Sequence, residues 1–257
     1  MIYIIKKTYC GRNESAIIGD FTPTIKLADG IGFEINSNAK GKTSGNIAGY
    51  AYIVNGKVKE FSKEEIGCVS GLQLEKDYTI NVIAMDENGG IKKSTDLNVN
   101  TGNKTYLYNS GDERIKITGG WKEYSRHGSN AIMTRNETNL YAKNTSTANI
   151  YNSNYYASWI TKEKINLTNY TKIIFNGEFK APGNSGLGVL LINNNVTTGN
   201  AFDGTWICQI TANTNNQLIA EIPEENRNNS YYIMITARNS DGNNHSEFTL
   251  DSAYLEK

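Results

Sequence analysis

The chain has 257 residues, in which 26 basic side chains balance 26 acidic ones. This length suffices for one large β domain or two ordinary domains with normal cores, and the balanced charge provides no overall field that would attract nucleic acid or an anionic membrane. No apolar run approaches the roughly 20 residues of a membrane-spanning helix, so we expect no membrane insertion.

The composition is typical of an exposed all-β protein. Roughly one residue in seven is asparagine, about three times its ordinary frequency, and the chain also contains 24 glycines and 16 tyrosines. Asparagine and glycine favour turns, and tyrosine favours strands. The sequence therefore predicts many short strands joined by short loops.

Residues 1–22 are interpreted as an N-terminal arm or edge strand. Their charges follow a very short apolar stretch, which is the reverse of the order in a secretory signal. Cys10, Cys68 and Cys208 are far apart and match no metal-ligand spacing, so we interpret them as reduced thiols. Both observations predict a protein that is made in a cytoplasm, even if it later functions outside the cell.

Residues 23–102 have the pattern of a domain with about seven short strands. The pair Asn55 and Gly56 stands between two apolar runs, which is the strongest short-range signal for a hairpin. Alternation of apolar and polar residues on either side predicts half-buried strands. The residues expected to face the core are Tyr50, Tyr52 and Val54 in one strand, and Tyr78, Ile80, Val82 and Ala84 in a later one.

Within this domain, the segment 71–101 resembles the E–F corner and F–G hairpin of a fibronectin type III module. Leu72 precedes Tyr78 by six residues, an alternating strand follows, and a turn with the pattern D-x-x-G begins at Asp86. The resemblance implies an immunoglobulin-like sandwich that spaces, links or displays other parts of an assembly. The tryptophan usual in such modules is absent, so Phe33 or Tyr52 must fill its volume, and a looser immunoglobulin-like relative is the alternative.

Residues 104–257 follow a polar boundary and continue as strands, without a helix-period segment of useful length. One of these strands is expected over 113–121. Roughly ten strands are too many for a seven-stranded module, and they favour a double-sheet jelly-roll β-sandwich. Three segments resemble the galactose-binding-like jelly rolls that occur as carbohydrate-binding modules and in phage tail proteins: 164–179, 230–239 and 248–257.

The segment 107–125 resembles the opening of a domain found in tail and minor structural proteins of phages and prophages of Gram-positive anaerobes. This resemblance implies a non-enzymatic tail, baseplate or fibre component of a virion, which assembles as a homo-oligomer with other virion proteins and attaches to host-surface polysaccharide. The alternative is the spacer and carbohydrate-binding module of a secreted carbohydrate-active enzyme or an adhesin. The initiating methionine and the absence of a secretory signal favour the virion.

Jelly rolls that bind sugars stack them on exposed aromatic rings and bond the hydroxyl groups through amide and charged side chains. The competing interpretation is that the aromatic residues belong to the core, because Trp159 and Trp206 alternate with apolar neighbours. The candidate glycan-binding residues are Trp121, Trp159, Tyr155, Tyr156, Trp206 and Asn243.

No cofactor is required by any motif, but the jelly-roll resemblance implies one optional ion. Related jelly rolls often carry a structural calcium beside their first and last strands, and Asp112, Glu113 and Asp251 would have to converge to bind it. Catalysis is not expected, because His127 and His245 lie alone in polar loops without a nucleophile or a metal motif.

Overall fold

The computed structural model describes residues 18–41, 46–126, 130–146, 156–183, 185–210, 214–238 and 244–257. These residues form β-strands almost throughout, which confirms the predicted all-β class. The chain divides into two compact units, one ending at Lys104 and the other beginning at Thr105. Tyr155, Asn243, His127 and Cys10 lie outside the described residues.

In its described residues, unit 1 is built from eight strands in two antiparallel sheets. One sheet has the order β1-β2-β5, and the other has the order β4-β3-β6, with β7 and β8 both pairing with β6. The strands are β1 (Thr24–Asp29), β2 (Gly32–Asn36), β3 (Ile47–Val54), β4 (Lys57–Ser62), β5 (Ile66–Val69), β6 (Asp77–Asp86), β7 (Ile91–Lys93) and β8 (Leu97–Asn100).

The core of unit 1 lies between these two sheets and contains the side chains that alternation predicted. Ile80, Val82 and Ala84 of β6 are fully buried, and Tyr78 packs against the same cluster from its edge. Phe33 and Tyr52 are both buried in this core. The predicted hairpin is also confirmed, since Asn55 and Gly56 form the turn between β3 and β4.

A hydrogen bond closes the predicted corner before β6. The backbone N–H of Gln73 donates to the hydroxyl of Tyr78 at 3.0 Å. This is the tyrosine corner of immunoglobulin-like sandwiches, in which a tyrosine near the start of a strand bonds to the backbone a few residues upstream. Leu72, beside Gln73, is buried in the same core.

Unit 2 contains two larger antiparallel sheets. The first has the order β10-β13-β19-β16-β17, with β14 pairing to β19, and the second has the order β11-β12-β20-β15-β18, with β9 pairing to β20. The strands are β9 (Lys104–Asn109), β10 (Trp121–Tyr124), β11 (Ala131–Arg135), β12 (Leu140–Asn144), β13 (Tyr156–Thr161), β14 (Ile165–Asn166), β15 (Lys172–Lys180), β16 (Gly186–Ile192), β17 (Gly204–Ile210), β18 (Thr214–Glu221), β19 (Ser230–Arg238) and β20 (Glu247–Glu256).

The two sheets of unit 2 enclose its main core. Trp159 of β13, in the first sheet, reaches the second sheet, where its indole N–H donates to the carbonyl oxygen of Tyr141 at 2.9 Å. The second sheet contributes Phe175 and Phe248 to this core, and the first sheet contributes Ile235. Each of these side chains is at most 1% exposed. This arrangement is the predicted double-sheet β-sandwich.

The prediction of a strand over 113–121 was wrong for the residues before Trp121. Ile115–Thr118 forms a single helical turn, α1, and the strand β10 begins only at Trp121. Arg114 and Gly119 at the two ends of α1 both adopt left-handed backbone conformations, which interrupt an extended chain. Apolar alternation across Ile115 and Ile117 resembles a strand, but the local turn conformation prevails. A short 3-10 turn, Glu224–Asn226, precedes β19.

Candidate functional site

The outward surface of the first sheet of unit 2 is apolar where a solvent-facing sheet would be polar. Side chains alternate along a strand, so residues an odd number of positions from the inward Trp159 point away from the second sheet. Tyr156, Ser158 and Ile160 of β13 therefore lie on the outward side. They share it with residues of β10, β16, β17 and β19 that the strand register places beside them.

These outward residues form a hydrophobic cluster, which we call the aromatic face. Its buried members come from four strands and from the connection 193–203 between β16 and β17, which folds over part of the sheet. Three partly exposed aromatic side chains pack at its edge. The buried members are Tyr124, Tyr156, Ile160, Leu190, Ile192, Val196 and Met234, and the edge members are Phe202, Trp206 and Tyr232.

Hydrogen bonds attach the connection 193–203 to β10. The hydroxyl of Tyr124 donates to the carbonyl oxygen of Asn200 at 2.6 Å, and Nζ of Lys122 donates to that of Val196 at 2.7 Å. Burial raises the pKa of Tyr124 to about 12, against a smaller opposing effect of Arg126, so the donor stays protonated at ordinary pH. The connection therefore closes part of the aromatic face with the chain's own residues.

Beyond this cover, three rings meet at the end of the face. The ring centroids of Tyr156 and Trp206 are 6.1 Å apart, and those of Tyr156 and Phe202 are 5.4 Å apart. Tyr156 is only 4% exposed, whereas Trp206 and Phe202 remain partly exposed. Trp206 is therefore the largest ring at this end that is partly accessible to a ligand.

Glycine positions this indole. A Cβ atom added to Gly188 would overlap Cζ3 and Cε3 of Trp206, which shows that the ring lies directly against the backbone of β16. The register explains the contact, because β17 is irregular between Val189 and Leu190 of its partner, and this shift places Trp206 opposite Leu190 on the outward side.

Two arginines flank Tyr156 at the same end of the face. Arg238 is paired with Tyr156 across β19 and β13, and its guanidinium carbon lies 5.8 Å from the centroid of the Trp206 ring. Arg126 follows Tyr124, the last residue of β10, by two residues, and its positive charge acts on the hydroxyl of Tyr156. We call this group, Arg126, Tyr156, Trp206 and Arg238, the arginine end.

The electrostatics of Tyr156 agree with this placement. Burial raises the pKa of its hydroxyl, and the positive charges of Arg238 and Arg126 oppose that rise. Both positive charges therefore act on the hydroxyl of Tyr156. A positive charge beside an aromatic face also strengthens its attraction for a polar, electron-rich ligand.

The sequence-predicted residues separate into three groups. Tyr156 and Trp206 come together at the arginine end. Trp121 and Trp159 do not join them, because both occupy inward positions, where they are 0% and 1% exposed. Their indole N–H groups donate to the carbonyl oxygens of Leu107 and Tyr141, at 2.9 Å in each case. Neither ring offers a face to a ligand, so these two predictions were wrong.

The proposed calcium ligands do not form a metal site. Both carboxylate oxygens of Glu113 are engaged, one by the backbone N–H of Trp121 at 2.8 Å and the other by Nε of Arg135 at 2.8 Å. The carboxylate of Asp112 pairs with Arg114. In the described ranges, no group of three His, Cys, Asp or Glu residues is arranged to hold a metal ion. The donor set of Asp112, Glu113 and Asp251 therefore does not fit calcium.

Sequence reasoning missed Arg126, Arg238, Tyr124 and Phe202 as parts of the site. The two arginines are distant in the chain, and only the pairing of β13 with both β10 and β19 brings their segments together. The available signal was the alternation of β13 and β19: with Trp159 inward, Tyr156 and Arg238 had to be outward.

Unit 1 has a separate, smaller surface feature. A groove of about 250 Å³ is bordered by polar side chains of β6 and β8. These side chains already bond to each other: Oγ1 of Thr79 donates to Asn98 at 2.8 Å, and the amide of Asn100 donates to Asp77 at 2.8 Å. Because these side chains satisfy each other, we do not interpret the groove as a binding site.

His245, the histidine that the structure describes, lies just before β20 and is partly buried. None of the helices among the described residues is both long and apolar enough to span a membrane.

The chain is only weakly similar to known proteins. The chain matches no protein-family model, and no curated protein is similar to it. Among solved structures, it is similar to a carbohydrate-binding module of the β-sandwich superfamily, with 14% identity, 95% of this chain and 100% of that chain covered, and a TM-score of 0.37. It is also similar to the family 29 carbohydrate-binding module CBM29_1 of Piromyces equi, with 9% identity, 60% and 90% covered, and a TM-score of 0.37.

A third structure resembles the chain through a different type of module. It is the central fibronectin-III array of RIM-binding protein, with 9% identity, 89% of this chain and 94% of that chain covered, and a TM-score of 0.26. Similarities with TM-scores this low carry no argument about this chain, so the case for function must come from the residues of the aromatic face.

Proposed function

We propose that this chain is a non-catalytic attachment protein whose second unit binds polysaccharide on its aromatic face. The observation that carries the proposal is the partly exposed Trp206, held against Gly188 and beside Tyr156 on an outward sheet surface. A partly exposed indole at the edge of an otherwise buried apolar cluster offers a ligand an apolar surface.

The composition of the face suits sugars. An indole surface attracts the apolar C–H side of a sugar ring, and the nearby guanidinium of Arg238 supplies hydrogen-bond donors for its oxygens. A fixed ring also limits the loss of side-chain entropy on binding, because Trp206 is already packed against the strand backbone.

Retention of the protein on immobilised polysaccharides tests this function. Trp206→Ala should weaken retention on the polysaccharide that binds by about tenfold or more, equivalent to about 1.4 kcal/mol, whereas Trp206→Phe should keep part of it. Ile219→Ala is the matched control, since Ile219 is an exposed apolar residue, at 46% exposure, on the second sheet. Equal retention of wild type and Trp206→Ala would refute a role for this face.

We also propose the biological setting, which the resemblance of 107–125 supports: a tail, baseplate or fibre component of a phage or prophage virion that functions outside the cell as a homo-oligomer. Detection of the chain in purified particles, together with an oligomeric mass in light scattering, would support it. Isolation of the chain only as part of a secreted polysaccharide-degrading enzyme would instead establish the alternative setting, in which the same unit is an ancillary binding module.

A further inference from the structure

Among the described residues, the arginine end carries positive charge without an acidic partner. In the described part of the chain, neither Arg126 nor Arg238 forms an ion pair. Three other cations of unit 2 are paired: Arg135 with Glu113 at 2.8 Å, and Lys143 and Lys180 with Glu247 at 3.2 Å each.

The two arginines belong to the two segments that flank β13. Arg238 lies opposite Tyr156 in the β13–β19 register, and Arg126 follows β10, the strand that pairs with β13 on the side away from β19. The stacking of Arg238 near Trp206 limits where its guanidinium can move. The result is two cations carried by the segments on either side of the strand that holds Tyr156.

We propose that the polysaccharide bound at the aromatic face is acidic, and that Arg126 and Arg238 bind carboxylate groups on its sugars. This inference rests on the proposed glycan-binding function and adds the chemical class of the ligand. A neutral sugar needs no second cation beside an aromatic ring. Two guanidinium groups near the same ring match an anionic polymer.

The chemistry favours carboxylates. A guanidinium is always charged and presents a planar fork of N–H donors that binds a carboxylate through two parallel hydrogen bonds. The chain has no net charge, with 26 basic and 26 acidic residues, so attraction of an acidic polymer would be confined to this end of the face.

The experiment uses the full chain and affinity electrophoresis in gels that contain one polysaccharide each. Polygalacturonate and hyaluronate are the acidic probes, fully methyl-esterified polygalacturonate is the matched neutral polymer, and dextran sulfate reports binding to charge alone. We expect wild-type protein to bind at least one uronate polymer at least tenfold more tightly than the esterified one. We expect this preference to decrease between low and physiological salt.

Arg126→Gln and Arg238→Gln should each weaken uronate binding by about tenfold, because each removes a charge-assisted hydrogen-bonding group. Arg238→Lys, which keeps the charge but loses the planar fork, should recover only part of the affinity. Arg126→Gln makes the test independent of any disturbance of Trp206. Lys172→Gln, the same loss of charge on the second sheet, is the control and should bind as wild type does.

The proposal is overturned if uronate binding is unchanged in Arg126→Gln and Arg238→Gln, or if dextran sulfate is preferred in wild type and control alike. If neutral polymers bind best and Trp206→Ala abolishes that binding, the inference of an acidic ligand fails while the glycan-binding function stands. If no polymer, acidic or neutral, is retained, both are rejected.

Discussion

The indole of Trp206 lies against the backbone of Gly188 on the adjacent strand β16. Any side chain at position 188 would occupy the space of the ring. Gly188→Ala should therefore push Trp206 from its site, change its tryptophan fluorescence, and weaken polysaccharide binding by about as much as Trp206→Ala.

Gly186→Ala is the matched control, because a Cβ there would meet nothing closer than the carbonyl oxygen of Ile210 at 3.4 Å. If Gly186→Ala and Gly188→Ala have the same affinity and emission spectrum, the contact between Trp206 and Gly188 is unimportant for binding.

Arg135 connects three parts of unit 2. It pairs with Glu113, donates to the carbonyl oxygen of Trp121 at 2.8 Å, and stacks 5.1 Å from the centroid of the Trp159 ring. Arg135→Lys keeps the charge but cannot make all three contacts, so we expect the free energy of unfolding to fall by about 1–3 kcal/mol. The side chain is 46% exposed, which limits the electrostatic part of this loss.

Urea denaturation followed by tryptophan fluorescence measures this loss. Arg227→Lys serves as the control, since Arg227 makes one side-chain bond, to the carbonyl oxygen of Ile222 at 2.9 Å, and should cost less. A larger loss for Arg227→Lys than for Arg135→Lys would contradict the prediction.

The tyrosine corner of unit 1 is expected to stabilise it modestly. Tyr78→Phe removes the acceptor for the N–H of Gln73 and keeps the ring, so the free energy of unfolding should fall by about 0.5–1.5 kcal/mol. Tyr52→Phe should cost at least as much, because Tyr52 is fully buried and its hydroxyl donates to the carbonyl oxygen of Glu65 at 2.5 Å. Thermal unfolding of the two variants tests this order, and an unchanged midpoint for Tyr78→Phe would show that water replaces the bond.

The carboxyl group of Glu247 is expected to make unit 2 less stable at acid pH. Burial alone would raise the pKa of its carboxyl group, but hydrogen bonds from Tyr141, Lys143 and Lys180 outweigh it and hold the pKa below the ordinary value of 4.5. A carboxyl group with a lowered pKa in the folded state contributes stability above its unfolded pKa, and this contribution is lost as pH falls through the folded value.

We therefore expect wild-type stability to decline below about pH 4.5 and Glu247→Gln to be less stable at neutral pH, with a smaller decline in acid. Denaturation midpoints between pH 3 and pH 7 measure the difference. Parallel pH profiles for wild type and Glu247→Gln would show that this carboxylate does not contribute.

Period-two alternation was sufficient to predict the strands and the core of unit 1. The side chains of Ile80, Val82 and Ala84 follow from local sequence, because a strand presents every second residue to the same side. The turn at Asn55 and Gly56 follows equally from local conformation, since both residues adopt positive φ angles, of 46° and 74°. The same local reasoning failed at α1, where left-handed residues overrode an apolar pattern.

The aromatic face depends on tertiary structure for a different reason. Alternation shows that Tyr156 and Trp159 lie on opposite sides of β13, but it does not say which side meets the second sheet. That choice is made when the two sheets pack and Trp159 reaches the carbonyl of Tyr141. Likewise, strand pairing alone brings together the distant segments that carry Arg126 and Arg238.

Composition and residue spacing thus determined that this polypeptide folds as β-sandwiches, because backbone geometry repeats over a few neighbouring residues. Which rings are exposed and which charges gather depends on contacts between segments far apart in the chain, and only the packed sheets decided that.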